Sequence, residues 1–192
     1  MASELISATE KYMLILLYAA KGKIRGKLWF QKEMYELSKI FPDLADELDF
    51  SAYSYGPFSE GLEEYRDMLE NSGLIRGLEL TEKGYKVAED LWRQEDEDKK
   101  KIIEDIVNFL EKLDREELLL YIYTTSPHMA ERSEVKKKIL QRRLEIALQM
   151  LKNKKVSTGL AAKLAGASYD MLVNEALKLG IRPFDVKGED AG

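Results

Sequence analysis

Cysteine is absent from the 192 residues. No disulfide framework and no thiolate ligand for a metal is therefore available. Histidine occurs once, at His128. One imidazole without thiols does not make a zinc site of the usual composition, and His128 lacks the company of a recognisable Ser-His-Asp arrangement. The longest apolar stretch, Tyr12 to Ala20, is far shorter than the ~20 residues that span a bilayer. The start, Met1-Ala2-Ser3-Glu4, has no basic n-region and does not read as a secretory signal. Together these absences predict a cytoplasmic protein that engages no membrane, metal or cofactor, and that binds a macromolecule and is not an enzyme.

What the chain has in quantity is charge, 34% of its residues, unevenly placed. Residues 1–130 hold 17 Lys and Arg against 27 Asp and Glu, whereas residues 131–187 hold 13 against 6. An acidic first part and a basic second part suggest modules with different partners.

In the acidic part, residues 8–21 read as a nearly apolar and therefore central helix, stopped by Gly22. Residues 27–41 repeat apolar side chains at helical spacing, and 42–58 read as a connection ending in Tyr53-Ser54-Tyr55-Gly56-Pro57-Phe58. Ser59 caps a third helix, Leu74–Leu80 form a small hairpin about Gly77, and Thr81 caps a return helix. Three helices, a hairpin and a helix are the element order of a winged helix. Residues 10–92 also resemble a family of prokaryotic, largely archaeal winged-helix regulators. The likeness is carried by Leu28-Trp29-Phe30-Gln31-Lys32, Tyr55-Gly56-Pro57-Phe58-Ser59, Gly73-Leu74-Ile75 and Leu80-Thr81-Glu82-Lys83-Gly84. The YGPFS element further resembles antitoxins of the Panacea class.

Still within the acidic part, residues 99–113 read as an amphipathic helix and Asp114 and Glu117 as a capping box; the basic part opens with Ser133 to about Lys152 as one long basic helix. Lys155 to Leu172 then give a short helix, the Ala165-Gly166-Ala167 turn, and a second helix capped by Ser168 and ended by Gly180. Met171, Leu172, Ala176 and Leu179 are expected to face inward. This is the pattern of a helix-turn-helix. Residues 150–185, with the ending Leu179-Gly180-Ile181-Arg182-Pro183, resemble a prokaryotic family of short antitoxin-like helix-turn-helix proteins.

The expected fold is mainly α: a winged-helix domain with a small β-hairpin over 1–98, connecting helices over 99–153, a helix-turn-helix over 154–185 and a flexible tail over 186–192. The expected function is DNA-binding transcriptional regulation by a homodimer, with the two resemblances adding an antitoxin or regulator of a toxin-antitoxin pair. Ser168, Tyr169 and Asn174 are the candidate base readers, because the start of a second helix enters the major groove and an amide pairs bidentately with adenine. Lys136, Lys137, Arg142, Arg143, Lys154, Lys155 and Lys163 are the candidate phosphate contacts. The third helix of the winged helix carries Glu60, Glu63, Glu64, Asp67 and Glu70 against Arg66 alone, so phosphates would be repelled there. Tyr53, Tyr55 and Phe58 read as core and turn residues, and Trp29 and Trp92 as packing residues. The rival expectation is a protein-binding adaptor, or an antitoxin that neutralises a toxin directly without touching DNA. Gly22 to Lys27 is one residue short of a phosphate loop and lacks its Ser or Thr.

Overall fold

The computed structural model describes residues 6–183. The tail expected over 186–192 lies outside the described residues, as do the last residues, 184 and 185, of the expected helix-turn-helix segment. The protein is mainly helical, with eleven α-helices and two small two-stranded pairs among the described residues. The chain divides into two compact units, one of residues up to 53 with 57–111, the other of residues 54–56 with those from 112 onward.

The first unit is built around α1 (Ala8–Ala19). Ser7 and Glu10 form a reciprocal capping box at its start. From Met13 to Leu17 its side chains are buried on every side, which is why that stretch is apolar without interruption. The helix stops two residues earlier than its composition suggests, because Lys21 and Gly22 both turn left-handed. α2 (Lys27–Ser38) and α3 (Pro42–Leu48) follow. α3 falls inside the stretch read as a connection: Pro42 starts it, and Leu44 and Leu48, one turn apart, are its buried side. The short strands β1 (Ser51–Tyr53) and β2 (Gly56–Phe58) complete that stretch.

α4 (Glu60–Asn71) is capped by Ser59, whose Oγ accepts from the Leu62 amide. β3 (Ile75–Arg76) and β4 (Glu79–Leu80) pair antiparallel about Gly77, and α5 (Glu82–Gln94) starts at the Thr81 cap. Residues 22–24 run along β4: the Ile24 amide donates to Leu78 O at 3.1 Å and the Leu80 amide to Gly22 O at 2.8 Å. The hairpin and return helix thus follow the helices as expected, but α3 and the β1–β2 pair are inserted before α4 in the expected order of three helices, hairpin and helix. α6 (Glu97–Leu110), read from sequence as the first connecting helix, instead adds Ile103 and Val107 to the core around α1.

In the second unit α7 (Arg115–Thr125) opens with the Asp114–Glu117 capping box. Leu118, Leu119, Leu120 and Ile122 of α7 are buried. Of the apolar residues over 99–123, Ile103, Val107, Leu110, Leu113, Leu118, Leu119, Leu120 and Ile122 are thus buried within the chain, and Ile102, Ile106 and Phe109 are half-buried. A single 3-10 turn, Pro127–Ala130, carries His128. The long basic helix is two helices, α8 (Lys136–Gln141) and α9 (Arg143–Lys152), broken at Arg142. The break falls where Arg142 and Arg143 are each held by partners distant in sequence, described below. α10 (Thr158–Ala165) and α11 (Tyr169–Lys178) complete the unit.

Candidate nucleic-acid interface

The α10–α11 pair has the local chemistry of a helix-turn-helix. Ser157 Oγ accepts from the Leu160 amide, and Ser168 Oγ from the Met171 amide, both at 3.2 Å. Each hydroxyl satisfies an amide that the helix itself leaves without a partner. Ala161, Ala162, Leu164 and Ala165 are buried, and the small volume of the three alanines lets neighbouring helices approach. Gly166 ends α10 in the left-handed region at φ +66°. A Cβ there would stand 2.6 Å from the Arg143 guanidinium, so glycine serves both the turn and the arginine beside it.

The structure sorts the seven candidate phosphate contacts into two groups. Three are internal. Arg143 donates from Nε to Leu164 O at 2.7 Å and from Nη2 to Lys163 O at 3.3 Å, closing the C-terminal end of α10. Arg142 grips Glu116 and Glu145 in charge-assisted pairs. Those hydrogen bonds, to Glu145 first and then Glu116, raise its pKa further above the ordinary arginine value. Lys155 donates to Glu117 Oε2 at 2.6 Å, and Glu117 is only 3% exposed. The other four, Lys136, Lys137, Lys154 and Lys163, make no ion pair among the described residues, nor do their neighbours Lys138 and Lys152. All of these but the half-buried Lys136 are exposed.

Ser168, Tyr169 and Asn174 are all exposed. Leu172 and Ala176 face inward as expected, but Met171 and Leu179 do not: they are 51% and 65% exposed. Met171 lies about 100° round the helix from Leu172, away from the buried side, and Leu179 follows the last helical residue. Exposed apolar residues on α11 and its end thus number four: Tyr169, Met171, Leu177 and Leu179.

In the first unit α4 keeps its anionic face. Glu60, Glu64, Asp67 and Glu70 are exposed, and Arg66 is surrounded by Glu63, Asp67 and Glu70. Of the lysines before it, Lys23 pairs with Glu79 and Lys27 with Glu63. Trp29 and Trp92 pack against the core as expected. Tyr53 is exposed and stacks on Phe58 at 5.1 Å, so it is not a core residue; Tyr55 lies under the Arg115 guanidinium at 4.7 Å.

The Leu28–Lys32 run and the Tyr55–Ser59 element meet in the fold. Gln31 donates to Ser59 O at 3.1 Å and accepts from the Ser59 amide at 3.0 Å. Lys32 Nζ donates to Pro57 O at 2.8 Å. Gln31 and Lys32 of α2 therefore hold the backbone of the GPFS segment in place. No local pattern could reveal this, since the partners are more than twenty residues apart.

Lys32 is 2% exposed, and burial pushes its pKa down to about 7. Its neighbour Glu33 is fully buried, and burial together with Glu111 raises its pKa well above the ordinary carboxylate range. The unfolded chain holds the Lys32 proton up to its ordinary value of 10.5. Above pH 7 the folded state releases that proton first, so stability gained from this group rises between pH 7 and 10.5. Urea unfolding at pH 7 and about pH 9.5 should show that rise, and Lys32→Met should flatten it. Equal pH slopes in both proteins would contradict the assignment.

No helix among the described residues is long and apolar enough to cross a membrane, and no group of three His, Cys, Asp or Glu is placed to hold a metal ion. Comparison with protein families, with curated proteins and with solved structures yields no match for this chain.

Proposed function

We propose that this is a cytoplasmic DNA-binding transcriptional regulator, not an enzyme, that holds duplex DNA with its second unit. The observation that carries this reading is the exposed surface of that unit. The cap Ser168 and, on α11, Tyr169, Asp170 and Asn174 are exposed, and Lys136, Lys137, Lys138, Lys152, Lys154 and Lys163 of the same unit make no ion pair among the described residues. Lysines of this kind supply sequence-independent affinity by releasing counterions from the phosphates. The side chains at the start of the second helix supply selection. The winged helix has the opposite polarity: α4 would repel phosphate, so we assign it to holding the fold or a protein partner.

The reading separates positions that hold from positions that select. Lys137→Ala should weaken binding to all duplexes alike and lower the salt slope by about one. Asn174→Ala should cost about 1–3 kcal/mol on the preferred site and little elsewhere. Because Asn174 is exposed, its loss should leave thermal stability unchanged. A destabilised Asn174→Ala protein with unaltered DNA preference would remove the selective role.

A homodimer is part of the proposal, since two-fold symmetric reading of half-sites is common to helix-turn-helix proteins. Light scattering at micromolar concentration should give twice the chain mass. A second reading is favoured by one observation. The exposed Tyr169, Met171, Leu177 and Leu179 suit a protein partner, as in an adaptor or a toxin-neutralising antitoxin. That reading expects loss of DNA affinity from none of the lysine substitutions.

A further inference from the structure

We propose that the outer face of α11 reads A·T base pairs, with Asn174 taking an adenine and Met171 the methyl group of a thymine. This rests on the DNA-binding reading above and specifies its target. Leu172 and Ala176 are fully buried and fix which side of α11 faces the unit. Met171, Asn174 and Lys178 recur at i, i+3 and i+7, and all three are exposed. They form one stripe along the side away from Leu172 and Ala176.

The chemistry of that stripe is selective. Guanine is most often recognised by Arg or Lys donating to O6 and N7. No Arg or Lys occurs between Lys163 and Lys178, so the reading end of the helix has no such donor. Asn174 offers the amide that pairs with adenine N6 and N7. Met171 offers an apolar, flexible thioether, and in the major groove the group that rewards apolar contact is the thymine C5-methyl. Ser168 Oγ already accepts from the Met171 amide, which fixes it at the turn. The one group on the first turn suited to a G·C pair is the Asp170 carboxylate, as an acceptor for cytosine N4. Asp170 lies one turn before Asn174 on the same outer face, but its charge is placed at the positive end of its own helix and a carboxylate there is repelled by the phosphates that flank the groove. Lys178, at the other end of the stripe, is tied to Glu175 at 2.6 Å and is too far along to share a base step with Met171.

The test uses the full chain and a pool of duplexes with a randomised centre. Retained duplexes should share A·T pairs at the positions of strongest selection. In the best duplex, each thymine is then replaced by uracil, which removes only the C5-methyl. One position per half-site should weaken binding roughly fourfold, the effect of about one buried methyl. Met171→Ala should abolish that thymine–uracil difference and keep the adenine preference, whereas Asn174→Ala should relax the adenine preference roughly tenfold. Both residues are exposed, so both variants fold. Retained sites centred on G·C, or a protein indifferent to uracil at every position, would overturn the inference while leaving DNA binding intact. Retention of no duplex would overturn the DNA-binding reading itself, and this inference with it.

Discussion

Gly84→Ala should destabilise the protein by about 3 kcal/mol, at the upper end of what overpacking costs. Gly84 lies in the first turn of α5, where its amide donates to Thr81 Oγ1 at 3.0 Å. A Cβ on it would stand 1.7 Å from Leu74 O and 2.7 Å from Leu74 C. Those are backbone atoms, so no rotamer change relieves the overlap. The start of β3 would have to part from α5, and the Thr81 amide would lose its 3.0 Å bond to Leu74 O. Leu74 and Ile75 are buried in the core that contains α1, so the displacement is felt beyond the turn. Thermal denaturation should shift down by roughly 6–12 °C. Gly159→Ala is the matched control: its Cβ would meet nothing within 4 Å. Gly159 is in the first turn of α10, so that change should raise stability by no more than the roughly 0.5–1 kcal/mol gained in a helix interior. A Gly84→Ala protein that melts with the unmodified chain would contradict the packing of β3 on α5.

Lys155→Met should cost about 3 kcal/mol, because it strands a buried carboxylate. Glu117 is enclosed and has two partners, the Asp114 amide at 2.8 Å and Lys155 Nζ at 2.6 Å. The amide alone does not balance a full charge removed from water. Changing both residues, to Glu117→Gln with Lys155→Met, should recover part of the loss, since no uncompensated charge then remains. The same substitution distinguishes two roles for Lys155. A phosphate contact would leave melting unchanged and lower the salt slope of DNA binding by about one. The contact with Glu117 predicts the reverse pattern. Chemical denaturation and DNA titration on the same two variants decide between them.

Local chemistry carried the parts of the fold that could be read from sequence. Ser59, Thr81, Asp114 with Glu117, and Ser168 all cap the helices their positions announce, since a cap and its amide are three residues apart. Gly77 and Gly166 mark turns for the same reason: positive φ is a property of the residue itself. The failures are cases where a distant partner decides. Arg142 and Arg143 read as basic surface, yet Glu116 and Leu164 O claim them. Residues 27–41 show apolar side chains at helical spacing, which does not reveal that Gln31, Lys32 and Glu33 are buried with them: α2 is buried on all faces from Phe30 to Ser38. α3 was illegible because seven residues offer only Leu44 and Leu48 as a pattern. Met171 read as core because it is apolar. Its exposure is visible only once Leu172 and Ala176 are seen to fill the inward side.

The claim that matters most is that the lysine-bearing second unit holds DNA. Fluorescence anisotropy of a labelled duplex, with the full chain and with a Lys137→Glu, Lys154→Glu, Lys163→Glu variant, tests it directly. The unmodified chain should bind, and should lose about two orders of magnitude in affinity between about 50 mM and 200 mM salt, as about four phosphate contacts require. The variant should melt with the unmodified chain, because none of the three lysines is ion-paired among the described residues, and should lose nearly all affinity at the lower salt. Equal binding by both proteins, or binding by the unmodified chain that ignores salt, would contradict the account.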